Sequence, residues 1–211
     1  MTDRILIFRS IVFALALGYW IYQFFQTDWT AFGLHFRFLT IWSLTANLIV
    51  AAHLLRRSLG WSTARWDAFT TLAVVMSMSV VFNYWRLYLD DPANFYADGD
   101  FIDWYQEYYL HVLGPILLWI DAFFIHRAVR RLSMVFLAVL ILGVAYPVWI
   151  EWLVQPLNTL PDGSVTQGLP YDFLNNMEVD ERMIFYGTIT GVNIVFVFLA
   201  MGIQKLVNKR F

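Results

Sequence analysis

Two residues of this chain have the type and placement that acyl-transfer chemistry asks for. Thr40 lies in an apolar stretch that opens near Phe36, and His111 in another that opens near Gln106. A threonine hydroxyl is a poor nucleophile until a base takes its proton, and imidazole is the commonest base near neutral pH. Of the four histidines, His111 alone falls well inside an apolar stretch, where a ring must be hydrogen-bonded or functional. Pro115 follows it at i+4, and the missing N–H deprives the His111 carbonyl of its helical partner. Thr40 shares a helical stripe with Ser43 and Asn47. The bland alternatives are a threonine bonded back to the carbonyl one turn earlier, and a kinked helix holding a satisfied histidine.

A tetrahedral intermediate would need donors around this pair. Asn47, Asn83, Ser43 and Thr188 are candidates for substrate or oxyanion contacts, as is a backbone N–H freed near the proline. Arg86, with Arg37 and Arg182, would hold a substrate carboxylate or head group, although snorkelling to the interface explains at least two of the three. Asp121 is roughly 15 Å deeper than His111 along a helix axis, too far to orient the imidazole. It calls instead for a basic or hydroxyl partner. Glu107, one turn before His111, or Asn83 would orient the ring. The reading requires no cofactor and no metal.

The elements that must position these groups are membrane helices. The chain has 211 residues, 60% hydrophobic and 14% charged, with a mean hydropathy of +0.58. Soluble domains carry about 25% charged residues, so a nucleic-acid binder, a disordered regulator and a secreted scaffold are excluded. With no cysteine there is no disulfide framework and no thiolate chemistry. Six stretches reach the roughly 20 apolar residues that a span requires: 5–25, 36–55, 66–89, 106–125, 132–153 and 182–207. The expected architecture is therefore all-α, a polytopic bundle over 1–211 with no separate soluble domain. Ala14-Leu15-Ala16 resembles a cleavage site, but the apolar run continues past it, longer than a signal sequence.

Charge bias gives the expected orientation. With both termini cytoplasmic, Arg4, Arg9, Arg56, Arg57, Arg65, Arg127, Arg130, Arg131, Lys205, Lys209 and Arg210 fall inside. Only Arg37, Arg86 and Arg182 fall outside. Acidic residues lean the other way: Asp90, Asp91, Asp98, Asp100, Asp103 and Glu107 in one loop, Asp162, Asp172, Glu178, Asp180 and Glu181 in another. Thr40, Asn83, Arg86, His111, Tyr146, Trp149, Glu151 and Thr188 then form one polar layer in the outer third of the bundle. The long segment from Gln155 to Asp180, punctuated by prolines, is either a lid over that layer or a solvated loop.

At these residues the sequence resembles the FAR-17a/AIG1-like family. The resemblance rests on Phe36-Arg37-Phe38-Leu39-Thr40-Ile41 with Ser43 and Asn47, and on Leu110-His111 followed by Pro115, Leu117, Leu118 and Asp121. Tyr146-Pro147, Pro156-Leu157 and Pro170-Tyr171-Asp172-Phe173 extend it over nearly the whole chain. It implies six helices with cytoplasmic termini. It also implies a threonine hydrolase of fatty acid esters of hydroxy fatty acids, with Thr40 and His111 at the family's essential positions. The expected partners are a lipid ester and membrane lipids, and the expected location is a bacterial inner membrane with the site toward the outer leaflet. Two rivals stand beside this. One is a b561-like dihaem electron carrier with His35/His111 and His53/His126 as ligand pairs. The other is a non-enzymatic lipid-binding or transport protein.

Overall fold

The computed structural model describes residues 3–90, 96–97, 100–101 and 104–210. Asp91, Asp98 and Asp103, read above as part of an acidic loop, lie outside the described residues. Six helices are long and apolar enough to cross a membrane: α1 (Asp3–Phe25), α2 (Leu39–Ser58), α3 (Asp67–Asp90), α4 (Trp104–Ile125), α5 (Leu132–Leu157) and α6 (Val179–Arg210). A two-residue antiparallel ladder, Tyr96–Ala97 against Asp100–Phe101, lies between α3 and α4. The expected all-α polytopic architecture is the one observed. Successive helices run in opposite directions, so the connections 26–38 and 155–178 share one end of the bundle, called here the loop-rich end. The 59–66 and 126–131 connections share the other, the basic end.

α3 is the central helix. Fifty-six per cent of its most apolar window is buried, against 11% for α1. Small and β-branched side chains make that burial possible, because Ala73, Val74, Val75, Ser77 and Ser79 let neighbouring backbones approach closely. Some of its polar groups are bonded within the bundle. The Ser77 hydroxyl donates to the Val74 carbonyl at 2.8 Å and accepts from the Trp119 indole at 2.8 Å. α1 packs on α2, α2 on α3, and α3 and α5 both on α6. The large apolar side chains left exposed, such as Ile184, Val195 and Leu206 of α6, face outward as a bilayer requires.

Three departures from a regular helix matter for the site. α2 starts at Leu39 rather than near Phe36, because 34–37 forms a separate 3₁₀ turn and Phe38 is extended. Thr40 therefore sits in the first turn of α2. α4 widens into a π-bulge over Tyr109–Leu113, where the Gly114 N–H bonds back to the Tyr109 carbonyl. The bulge falls where Pro115 removes a helical donor, and it displaces His111 from regular register. A second bulge at Asp121–Ile125 ends the same helix.

The 155–178 segment is folded down rather than solvated. Asn175, fully buried, accepts from the Leu169 N–H at 3.1 Å and donates to the carbonyls of Leu169 (3.0 Å) and Tyr171 (3.3 Å). Its own carbonyl accepts from Val165 and Thr166. Asn158 ties the segment to the other connection by bonding the N–H and carbonyl of Phe32. Gly168 has a φ of 89°, and a Cβ there would meet the Gln155 and Asn158 carbonyls, so only glycine fits. Leu169 and Leu174 bury completely against Ile150 and Val154.

Candidate active site

A cavity of about 700 Å³ opens at the loop-rich end and runs down between the helices. That is an ordinary size for a small-molecule site. Exposed Gln26, Asp28 and Asp172 stand at its rim, and Asn193 and Thr190 of α6 lie far along it. Apolar side chains make most of the wall, among them Leu110, Leu142, Phe173, Phe185 and Ile189. The folded 170–174 segment roofs it.

Thr40 and His111 both line this cavity. Nδ1 of the His111 ring lies 3.1 Å from the Glu107 carboxylate and 3.1 Å from the Glu107 carbonyl. Both are acceptors, so Nδ1 carries the hydrogen and Nε2 is the basic nitrogen. Tyr84 stacks on the ring at 3.7 Å between centroids, 11° from parallel. Of the two groups read as able to orient the ring, Glu107 does so. The stacking tyrosine carries no spacing signal relative to His111, since it comes from another helix.

Thr40 has a different immediate neighbour. The phenol of Tyr171, reaching in from the roof, accepts the Leu39 N–H at 3.0 Å and lies beside the Thr40 hydroxyl. Burial pushes the Tyr171 phenol up from its ordinary pKa, so it is neutral here and cannot act as the base. The Tyr146 hydroxyl, beside it, donates to the Arg37 carbonyl at 2.9 Å. The first turn of α2 thus presents N–H groups with no helical acceptor beside the candidate nucleophile, and Tyr171 occupies that place. Pro170-Tyr171-Asp172-Phe173 carried a resemblance in sequence but no catalytic signal. Its contact with α2 is long-range and appears only in the fold.

The other residues read as site candidates divide. Asn83 lines the cavity, but its amide N–H donates to the Ser79 carbonyl at 2.9 Å, so its oxygen is the atom left over. As oriented it offers an acceptor, not an oxyanion donor. Ser43 is buried away from the cavity, and Asn47 lines a separate void of about 20 Å³ with Arg9 and Asp121. Their stripe continues below the cavity floor, where α2 faces α1 and α4. Arg86 is exposed, with its guanidinium 5.7 Å from the Phe185 ring centroid. Thr188 is exposed and donates back to the Ile184 carbonyl at 2.8 Å. Ser43, Asn47, Arg86 and Thr188 do not line the cavity.

Arg182 does not snorkel. It is buried and pairs with Glu151 at 2.8 and 3.1 Å, while Tyr186 donates to the same carboxylate at 2.6 Å. Asp121 finds the basic partner that its depth required, a bidentate pair with Arg9 at 2.7 Å on both arms, and Arg9 also donates to Ser58 at 3.0 Å. His35 is buried. The Thr27 hydroxyl donates to the Gln23 carbonyl at 2.6 Å, so it accepts from Nδ1 of His35, also at 2.6 Å. Burial lowers the His35 pKa below the usual imidazole value. At the basic end, His53 stacks on Trp66 at 4.1 Å and bonds the Ala64 carbonyl. Arg57 lies against Nδ1 of His126, whose Nε2 donates to the Arg65 carbonyl.

The cavity wall concentrates unmet polar capacity. Gln23 Nε2, His35 Nε2, Arg37 Nε and Nη1, Asn83 Oδ1 and Asn193 Oδ1 are all buried without a hydrogen-bond partner among the described residues, and all belong to cavity-lining side chains. Native proteins leave few such groups, so their gathering on one wall marks a place built for a polar ligand or water.

The sequence model of the family described as FAR-17a/AIG1-like protein matches residues 5–206. No curated protein and no solved structure matches the chain.

Proposed function

Because the chain belongs to the FAR-17a/AIG1-like family and lines one cavity with both Thr40 and His111, we propose that it is an intramembrane hydrolase of lipid esters. The substrates are fatty acid esters of hydroxy fatty acids or close analogues, as the sequence resemblance implies. The observation that carries the reading is the His111 ring on the cavity wall, its Nδ1 held by Glu107 at 3.1 Å and its Nε2 left basic.

In the reaction, Thr40 exchanges its Tyr171 partner for Nε2 of His111, which takes the hydroxyl proton as Oγ attacks the ester carbonyl. Hydrogen bonds seen in an unliganded site are often looser than those of the reacting complex, so the present Tyr171 contact is compatible with this exchange. Glu107 steadies the imidazolium that forms. First-turn N–H groups of α2, now facing Tyr171, stabilise the oxyanion once the ester carbonyl displaces the phenol. Collapse breaks the ester C–O bond, and the imidazolium proton goes to the departing alcohol. Water then attacks the acyl-threonine with His111 again as base, releasing the fatty acid and restoring Thr40. The loop-rich end faces the outer leaflet of a bacterial inner membrane, in keeping with the basic residues gathered at the opposite end.

Purified protein in detergent should hydrolyse members of a panel of long-chain fatty-acid esters, and folded Thr40→Ala and His111→Ala variants should not. Turnover surviving in folded Thr40→Ala removes the nucleophile. Tight binding of the esters without turnover by the parent favours a lipid-binding protein over an enzyme.

A further inference from the structure

Among the unpartnered groups on the cavity wall, Arg37 differs in kind. A neutral amide such as Asn83 can be satisfied by a water, but a guanidinium carries a full charge that resists burial without a counter-charge. Nε and Nη1 of Arg37 are buried with no acceptor, and no ion pair reaches Arg37 among the described residues; its guanidinium lies 5.1 Å from the Phe38 ring centroid, a contact that leaves both N–H donors unmet. Asp28 is the carboxylate whose charge acts on it. That carboxylate is already engaged by the N–H and hydroxyl of Thr30 at 2.9 and 2.6 Å. Asp172, the other carboxylate at the rim, is exposed, and Glu107 is engaged with His111. Burial accordingly pulls the Arg37 pKa down from its ordinary value.

Among the described residues, Arg37 is the single lysine or arginine lining the cavity, and it stands three positions before Thr40. The unpartnered Nε2 of Gln23, a second donor, lines the same cavity. Beyond them the wall turns apolar through Leu110, Leu142, Phe173 and Phe185. A cationic fork at the mouth followed by an apolar channel is complementary to an amphiphile with an oxyanion at one end and an acyl chain behind it.

We propose that Arg37, with Gln23 lining the same cavity, forms an oxyanion subsite that takes the carboxylate or phosphate of a long-chain amphiphile at the cavity mouth. Its use as a substrate subsite rests on the hydrolase reading; the binding itself does not. If both hold, the preferred esters carry a free acid group and neutral esters are poor substrates.

The test measures binding of oleate, oleoyl-lysophosphatidate and methyl oleate to the full chain in zwitterionic nanodiscs. The parent should bind at least one anion about tenfold or more tighter than methyl oleate, the worth of one or more charge-assisted hydrogen bonds. Tighter oleate assigns a carboxylate, and tighter lysophosphatidate a phosphate. Arg37→Gln should bring the ratio near one without weakening methyl oleate. Arg37→Lys should keep part of it, and Arg56→Gln, at the exposed basic end, all of it. If Arg37→Gln does not fold, the intermediate ratio in Arg37→Lys carries the test. An unchanged ratio in folded Arg37→Gln, or a parent that prefers neither anion, overturns the proposal. Equal hydrolysis of acidic and neutral esters also sinks the subsite while leaving the hydrolase intact. Anion binding without turnover of any ester does the reverse.

Discussion

The contact between Glu107 and His111 lends itself to a quantitative prediction. The carboxylate lies 3.1 Å from Nδ1, and the Glu107 side chain is 20% exposed. At that distance a full charge pair is worth about 5 kcal/mol at an effective dielectric of 20 and about 1.3 kcal/mol in bulk water. Partial exposure places the stabilisation of the imidazolium between these, at roughly 2–3 kcal/mol. Removing the charge by Glu107→Gln should therefore lower kcat/KM by about 30- to 150-fold. The loss should stop well short of the roughly 10⁴-fold seen when a catalytic histidine is left in the wrong tautomer. The reason is structural: the Glu107 main-chain carbonyl also accepts from Nδ1, at 3.1 Å, and survives the substitution. Steady-state hydrolysis of the best ester by the parent, Glu107→Gln and Glu107→Ala measures this, with melting curves to confirm folding. A change under threefold would show that Glu107 does not act on the ring during turnover. A loss as complete as that of His111→Ala would show that the backbone carbonyl does not hold the tautomer.

Further outcomes follow from the surrounding structure. Asp121→Asn should destabilise the protein by about 3–5 kcal/mol in a denaturant titration, because it leaves the buried Arg9 guanidinium unpaired. The double variant Arg9→Leu with Asp121→Leu should recover most of that, and a loss equal to the sum of the single effects would refute the pairing argument. Tyr171→Phe removes the acceptor of the buried Leu39 N–H and should cost about 1–3 kcal/mol of stability, while lowering kcat more than it raises KM. An unaffected kcat would mean that Tyr171 does not position Thr40. Burial, followed by the nearby Arg65 charge, holds His126 down to about 4 from 6.5. As pH falls through that window the unfolded chain binds a proton that the folded chain refuses, so stability drops. His126→Gln should show a smaller fall in melting temperature between pH 7 and pH 4.5 than the parent, and an identical fall would contradict this.

What could be seen in the sequence and what could not has a physical pattern. The six helices were legible because a span must be long and apolar, a local property of every window. Glu107 was legible as a partner for His111 because i and i+4 share a helix face. The Arg9–Asp121 pair was legible in part, as a need for a basic partner at that depth, but nothing local named Arg9 from another helix. The stripe through Thr40, Ser43 and Asn47 is regular helix geometry, yet only Thr40 reaches the cavity, because α2 meets different neighbours at different depths. Arg37, Arg86 and Arg182 looked alike in sequence. One is a cavity cation over Phe38 whose Nε and Nη1 have no acceptor, one is exposed over Phe185, and one is locked to Glu151. Tyr84 and Tyr171 touch the two candidate catalytic groups from distant segments, contacts that no periodicity encodes.

The central claim is that Thr40 becomes covalently acylated, and peptide mass spectrometry tests it directly. The protein is mixed with an ester whose acyl chain carries a heavy isotope, quenched with acid during the first turnover, digested and mapped. The account predicts one labelled acyl group per chain, borne by the peptide containing Thr40 and absent from Thr40→Ala. Ester turnover with the acyl group on another residue, or with none on the protein at any quench time, would contradict it.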